Sequence, residues 1–168
     1  PVQKGDVLDA QILNVGFNAL WLTVKGMDVR VRNRLMTHRW LSDMQLAYAP
    51  GDIVKVQVTE LRDNFANGEI QLAVSSRPIE LAQAKQRHSR IRPGNIYGAT
   101  IVNVRFGSSM HVSLWLEGID VPGYAATTGL FNSDSFHSGD YVYVEVLGIT
   151  ESGYVHTKII PHKKAGRR

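Results

Sequence analysis

Hydrophobic and polar residues alternate over several short stretches of this chain. The valines of 54–58 occupy every second position with polar residues between them, and those of 142–146 do the same. A period of two is typical of a β-strand with one buried face. Turn-forming residues precede both stretches, Pro-Gly-Asp at 50–52 and Ser-Gly-Asp at 138–140. Each stretch therefore predicts a short strand entered through a tight turn.

The same pattern predicts the other strands of the N-terminal half. Strands are expected within 5–15 and at 20–24, 28–34 and 69–74, with a turn at Lys25-Gly26, a loop at 63–68 and a short helix within 38–48. Five short strands with this spacing favour a small Greek-key barrel of the OB type. An SH3-like barrel is the alternative.

Three segments of the first half recur in the second half in the same order. Residues 5–15 match 94–104 with five identities at one offset, 26–29 match 118–121, and 51–58 match 139–146. Small changes of offset between these blocks correspond to loop insertions and deletions. Chance rarely gives three matches in order, so the sequence predicts two copies of one unit, at about 2–77 and 94–162.

The residues between the two copies favour a helix. Pro78 stands where a helix can begin, residues 79–91 are rich in helix formers, and Arg92-Pro93-Gly94 ends the segment. The predicted domains are 1–77, a connector at 78–93, a second domain at 94–162 and a basic tail at 163–168. The predicted fold is all-β, with two small five-stranded OB-fold barrels joined by a short helical connector.

Composition excludes several classes of protein. The 168 residues are 43% hydrophobic and 20% charged, as in ordinary globular proteins. Cysteine is absent, which excludes disulfides, a thiol nucleophile and cysteine-bound metal and favours a cytoplasmic location. No apolar run approaches the ~18 residues of a membrane helix, so no membrane partner is expected.

The net charge of +4 is distributed unevenly. Residues 1–77 carry +1 and the connector carries +3, whereas residues 94–160 carry −4. Phosphate contacts from Lys and Arg supply most sequence-independent affinity for nucleic acids. The first copy, aided by the connector, is therefore the better candidate for nucleic-acid binding.

The glycine turns and strand endings fit one known pattern. In the first copy they are Lys4-Gly5-Asp6-Val7, Gly26, Gly51-Asp52 and the strand 70–78, and in the second Arg92-Pro93-Gly94, Phe106-Gly107, Gly118, Gly139-Asp140 and 155–158. With these residues each copy resembles the S1 RNA-binding domain, a module of the OB-fold family. The resemblance implies two barrels and RNA binding on a barrel face. Ala10 and Ala99 stand where that family has a second early glycine.

Three arginines are the most specific feature of the first copy. Arg30, Arg32 and Arg34 fall on one face if the predicted strand continues to Arg34. Like charges in a row repel each other, and a phosphate backbone would compensate them, with Lys25 and Arg39 extending the patch. The alternative is a solvated face whose arginines pair with nearby carboxylates: Asp28, Asp43 or Glu69.

Binding of single strands also needs aromatic side chains on which bases stack. The candidates in the first copy are Phe17, Trp21, Trp40 and Phe65, with Arg62 close to the loop of Phe65. The S1 resemblance places Phe17 near the stacking aromatic of the second strand. Trp21 alternates with two leucines and is expected to point outward, although Trp21 and Trp40 also suit a core position.

The second copy is acidic and rich in aromatic residues. Its candidate contacts are Phe106, His111, Tyr141 and Tyr143. The two tyrosines fall opposite the valines of 142–146, where they stack bases or bury against a protein. The acidic balance favours a protein partner for this copy.

Motifs of enzymes are missing from the sequence. There is no Walker-type loop and no Gly-x-Ser-x-Gly elbow, and the six histidines lack metal-ligand spacing. No catalytic activity, cofactor or metal is expected. The predicted function is binding of single-stranded RNA, or of single-stranded DNA, by the first copy, with the second copy orienting or recruiting. The alternative is a protein-interaction module that uses the barrels without nucleic acid.

Overall fold

The chain is mostly β-structure and divides into two compact units. The computed structural model describes residues 1–64, 68–105, 111–126, 136–160 and 166–167. The first unit comprises Pro1–Thr37 and Leu41–Ile79, and the second comprises His38–Trp40 and Glu80–Arg168. The prediction of an all-β chain with two small barrels is confirmed.

Five antiparallel strands form the sheet of the first unit. They are β1 (Val7–Val15), β2 (Ala19–Val24), β3 (Met27–Arg32), β4 (Ile53–Asn64) and β5 (Glu69–Ser75), in the spatial order β3-β2-β1-β4-β5. A short helix, α1 (Asn33–Met36), follows β3, and a 3-10 turn covers Met44–Leu46. The helix α2 (Arg77–Lys85) follows β5, and Pro78 is its second residue, where a missing N–H costs no helical hydrogen bond.

Alternation along the strands builds the core of the first unit. Leu20 and Leu22 of β2 and Val56 and Val58 of β4 are fully buried. The residues between them face outward, as a period of two requires. Met36 of α1 is also fully buried, so the helix closes part of the core.

The second unit repeats the strand order and adds two pairings. Its strands are β6 (Ile96–Arg105), β7 (His111–Leu116), β8 (Val121–Ala126), β9 (Asp140–Ile149), β10 (Val155–Ile159) and β11 (Gly166–Arg167), with 3-10 turns at His88–Arg90 and Glu117–Ile119. The order is β10-β8-β7-β6-β9-β11, and β10 also pairs with β9. The two added pairings are those of β10 with β8 and of β11 with β9. Because β10 is parallel to β8 and antiparallel to β9, strands β6 to β10 close into a ring.

Glycine turns recur at matching places in the two units. The N–H of Gly5 donates to the carbonyl of Val58 at 2.8 Å, and the N–H of Gly94 donates to that of Val146 at 2.9 Å. Gly51 and Gly139 donate to the carbonyls of residues 12 and 101, both at 2.7 Å. All four glycines have φ between 91° and 95°, in the left-handed region that L side chains rarely adopt. The Gly-Asp and Gly-Asn signals of the sequence thus mark the same barrel corners twice.

Two predicted boundaries differ from the structure. The third strand ends at Arg32, and residue 34 lies in α1. The helix forms because it buries Met36, a tertiary gain that the local alternation of arginines does not reveal. The fourth strand runs to Asn64, beyond the predicted valine stretch, because it pairs with β5 over residues 60–64 after a register shift.

Candidate nucleic-acid interface

A row of polar and aromatic side chains crosses the outer face of β1, β2 and β3. Asn14 of β1 pairs with Trp21 of β2, which pairs with Arg30 of β3. Leu20 and Leu22 point into the core, so the strand period sends Trp21 to the outside. The row therefore presents an indole ring and a guanidinium side by side.

Trp21 is held between a glycine and an arginine. A Cβ on Gly16 would lie 2.8 Å from the indole ring, so the ring rests closely on that backbone. The guanidinium carbon of Arg30 lies 5.7 Å from the ring centroid, within the range of a cation–π contact. The side chain is still 39% exposed. The ring is thus fixed in position while part of it remains accessible.

The two strand arginines add positive charge to this face. Arg32 is exposed at the end of β3, opposite Ala19. Within the described residues neither Arg30 nor Arg32 has a carboxylate within 4.0 Å. Exposed arginines of this kind fit a solvated face as well as a binding face. An anionic ligand would relieve their repulsion.

Two further predicted residues lie at the turns of this face. Phe17, in the turn between β1 and β2, is 72% exposed. Lys25, in the turn between β2 and β3, is exposed and has a φ of 51°. An aromatic ring and an ammonium group thus flank the row at the ends of β2. We call Phe17, Trp21, Lys25, Arg30 and Arg32 the arginine–aromatic face.

Other predicted residues of the first copy lie elsewhere. Arg34 is in α1 instead of on the strand, and its backbone carbonyl accepts a hydrogen bond from the Arg77 guanidinium at 3.1 Å. Arg62, on β4, forms an ion pair with Glu60 at 2.7 Å. Phe65 lies outside the described residues.

The structure groups Arg39 and Trp40 with the second unit, although both come from the first copy in the sequence. The guanidinium carbon of Arg39 lies 4.6 Å from the ring centroid of Trp115. The ring of Trp40 covers Gly139, where an added Cβ would lie 2.8 Å from the indole. The Arg39 guanidinium and the Trp40 ring pack against residues that are distant in the sequence. Local sequence patterns therefore did not predict their positions.

The neighbouring His38 shows what fixes this segment. His38 is buried, and its backbone N–H donates to the Glu80 carboxylate at 2.7 Å. Its ring Nδ1 lies 3.0 Å from the same carboxylate, and its Nε2 lies 3.0 Å from the Tyr154 hydroxyl. Three polar contacts therefore hold residue 38 in the second unit.

The matching row of the second unit has different chemistry. Asn103 pairs with Ser113, Ser113 with Tyr124, and Tyr124 with His156. The Tyr124 and His156 rings stack at 4.8 Å with an angle of 15° between their planes. A serine thus stands at the place of Trp21 and a tyrosine at that of Arg30.

The predicted contacts of the second copy are partly buried. Tyr141 and Tyr143 are half-buried with an edge-to-face contact of 5.8 Å, and Tyr141 closes over Gly98, where a Cβ would collide with its hydroxyl. His111 is half-buried at the start of β7. Phe106 lies outside the described residues.

Sequence reasoning missed residues that shape both rows. Asn14 and Gly16 of the first unit were not among the predicted site residues. Ser113 and Tyr124 were not singled out either. Aligning the repeat beyond its identical blocks, strand by strand, would have paired them with Trp21 and Arg30.

The described residues contain no group of three or more His, Asp or Glu side chains that could hold a metal ion. Among those residues, no helix is both long enough and apolar enough to cross a membrane.

Comparisons with known proteins give distant structural similarity only. No family model matches the chain, and no curated protein matches it in sequence. A complex of a/eIF2alpha, aDim2p and rRNA from Pyrococcus horikoshii OT3 aligns over 54% of this chain and 56% of the matched chain, with 14% identity and a TM-score of 0.37. A multidomain protein with nucleic acid binding domains from Streptococcus pneumoniae TIGR4 aligns over 93% of this chain and 51% of the matched chain, with 11% identity and a TM-score of 0.35. The chain thus aligns with about half the length of each of these structures.

Proposed function

We propose that this protein binds single-stranded nucleic acid, RNA above all, on the arginine–aromatic face of its first unit. The observation that carries the proposal is the side-by-side placement of Trp21 and Arg30, with Arg32 and the exposed Phe17 close by in the fold. Single strands are bound by basic grooves that follow the phosphates and by rings on which bases stack. This face offers cationic side chains and exposed rings.

We further propose that both units are OB-fold barrels of the S1 type. The strand order β3-β2-β1-β4-β5 and its counterpart in the second unit agree with a five-stranded Greek-key barrel. In OB folds the face of strands two and three and the loop between strands one and two contact oligonucleotides. Phe17, Trp21 and Arg30 lie at those places.

The proposed role of the second unit is to orient the ligand or to recruit a protein. Residues 94–160 carry a net charge of −4, which disfavours a phosphate backbone. Ser113 and Tyr124 also lack the cation and indole of the first row. A module that binds only proteins is the alternative for the whole chain. Under both the nucleic-acid-binding proposal and its alternative, we propose that the protein is cytoplasmic and acts without catalysis and without a cofactor.

The test is a titration of fluorescent single-stranded RNA, with single-stranded DNA and duplex controls, at several salt concentrations. Arg30→Ala/Arg32→Ala should weaken RNA binding about 10- to 50-fold and lower the salt slope by about 1.4, since each phosphate contact on a single strand contributes about 0.7. The matched control Lys4→Ala/Lys55→Ala removes the same charge from exposed positions outside the face, and it should lose far less affinity.

Circular dichroism and thermal unfolding must show that each variant remains folded. If the wild type binds RNA and the two double variants weaken this binding equally, the arginine–aromatic face is refuted as the site. Absence of wild-type binding at low salt would refute nucleic-acid binding itself and favour the protein-interaction alternative.

A further inference from the structure

In the second unit, the guanidinium of Arg39 lies over the ring of Trp115. The indole is 4% exposed, and its Nε1–H donates to the Asp120 carboxylate at 3.4 Å. The guanidinium carbon of Arg39 lies 4.6 Å from the ring centroid, while the Arg39 side chain is 52% exposed. Arginine can stack on an aromatic face, and its planar fork of N–H donors matches the geometry of an oxyanion. Arg39 is thus both fixed and accessible.

A second arginine reaches the same place from the connector. Arg87 donates from its guanidinium to the backbone carbonyl of Asp120 at 3.2 Å. Arg90 follows one 3-10 turn later, with its N–H bonded to the Arg87 carbonyl at 3.0 Å. Side chains three residues apart eclipse in a 3-10 turn, so Arg90, which is exposed, lies on the side that carries Arg87.

Asp120 contacts two of these cations, Arg39 and Arg87. It has a φ of 51°, a left-handed conformation, and it offers its carbonyl to Arg87 while its carboxylate lies 3.9 Å from the Arg39 guanidinium. The cluster therefore combines three cationic residues with one anionic residue. We call Arg39, Arg87, Arg90, Trp115 and Asp120 the arginine–tryptophan cluster.

The origin of its charges distinguishes this cluster from the rest of the second barrel. Residues 94–160 are acidic as a whole, but Arg39, Arg87 and Arg90 come from outside that range. The second unit thereby gains a local basic surface that its own strands do not supply. A guanidinium over an indole, with further arginines beside it, is suited to a phosphate next to an unstacked base.

We propose that the arginine–tryptophan cluster is a second contact site for the same single-stranded nucleic acid. This inference rests on the proposed function, because it assumes that the chain binds such a ligand. It goes further in giving the second unit a direct contact with the phosphate backbone, in addition to any orienting or recruiting role.

The test compares oligouridines of about 6 and about 30 nucleotides, because one OB fold occupies about 4–16 nucleotides. Arg39→Ala/Arg87→Ala should weaken binding of the long oligomer about 5- to 10-fold and lower its salt slope by about 1.4. Binding of the short oligomer to the first unit should change by less than about 2-fold. The control Arg105→Ala/Lys158→Ala removes the same charge from exposed residues of β6 and β10 and should leave both affinities nearly unchanged.

A second variant tests the sign of the effect. Asp120→Asn removes the one negative charge of the cluster, keeps an acceptor for the Trp115 indole and tolerates the left-handed φ. A ligand site predicts affinity for the long oligomer about 2- to 3-fold above that of the wild type. A purely structural cluster predicts a lower unfolding temperature without any gain in affinity.

The possible outcomes separate the two proposals. If the wild type binds and Arg39→Ala/Arg87→Ala equals its control, with no gain in Asp120→Asn, the second site is refuted while the first stands. If the wild type binds neither oligomer, both proposals fail. Loss of the long-oligomer affinity together with the gain in Asp120→Asn is the result we expect.

Discussion

The outer rows of the two barrels differ although their backbones match. Both rows begin at an asparagine just after a register shift in the first strand, at Asn14 and at Asn103. The first row then presents Trp21 and Arg30, and the second presents Ser113 and Tyr124. The barrel corners, by contrast, repeat with the same hydrogen bonds.

This difference separates what builds the barrel from what the barrel displays. Corner glycines and alternating valines are needed for any such barrel, because they set the turns and fill the core. The outward positions carry no such requirement and can take any residue that solvent or a ligand accepts. The first row displays a partly exposed indole beside a guanidinium, whereas the second row packs the Tyr124 ring against His156.

The largest expected effect on stability comes from replacing a corner glycine, because the surroundings of the matching glycines differ between the two units. Gly51 and Gly139 have φ values of 91° and 93°, but only Gly139 lies against the Trp40 ring, at 2.8 Å from an added Cβ. Gly51→Ala should lower the free energy of unfolding by about 1–2 kcal/mol through the left-handed backbone. Gly139→Ala should cost about 2–5 kcal/mol, because overpacking is added. Calorimetric unfolding of both variants measures the difference.

A double-mutant cycle identifies the cause of that difference. In a Trp40→Ala background the ring is gone, so Gly139→Ala should cost no more than Gly51→Ala does in the wild type. Equal losses for the two glycine variants in the wild-type background would show that Trp40 yields without cost, and the predicted asymmetry would be wrong.

The next largest effect is expected when the residues of the second row replace those of the first. Trp21→Ser/Arg30→Tyr gives the first unit the residues of the second, and it should weaken RNA binding about 100-fold. A stacked base contributes about 1–3 kcal/mol and tenfold in affinity is about 1.4 kcal/mol, so one stack and one phosphate contact account for this loss. Fluorescence anisotropy titration with single-stranded RNA measures it.

The reverse exchange is the matched control. Ser113→Trp/Tyr124→Arg should change affinity by less than about 3-fold, because the negative charge of residues 94–160 persists. A 100-fold gain from this exchange would mean that the row alone determines binding, and that the charge of the surrounding barrel matters little.

Local patterns predicted the strands because a half-buried strand leaves its period in the sequence. Val54 to Val58 and Leu20 to Val24 show that period, and both lie in strands. Residue 34 continues the alternation of arginines but belongs to α1, because burial of Met36 decides that segment. A pattern can reveal which face is buried, but not which competing burial prevails.

The candidate site was predictable in part for the same reason. Trp21, Arg30 and Arg32 follow from strand period, and they do lie outward on neighbouring strands. Arg39 and Trp40 were not predictable, since their partners Trp115 and Gly139 lie more than 70 residues away. Contacts at that separation leave no local signal.

The smallest expected effect concerns one more pair of matched positions. Asp9 pairs with Lys55 across β1 and β4 in an ion pair of 2.8 Å, and both side chains are at least 60% exposed. At the matching place the second unit has Gly98 opposite Tyr143, with Tyr141 closed over the glycine. The first barrel thus has an exposed ion pair at the place where the second barrel has a tyrosine ring packed on a glycine.

The stability of the two units should respond differently to a change at these matched positions. Asp9→Ala should change the free energy of unfolding by less than about 0.5 kcal/mol, because exposed ion pairs contribute little. Gly98→Ala should cost about 1–3 kcal/mol, because the new methyl group meets the Tyr141 ring and hydroxyl and one of them must move. Thermal unfolding measures both, and near-ultraviolet circular dichroism should change only for Gly98→Ala, as the tyrosine is displaced. If Gly98→Ala is as mild as Asp9→Ala, Tyr141 moves away at no cost, and the closed tyrosine is dispensable to the second barrel.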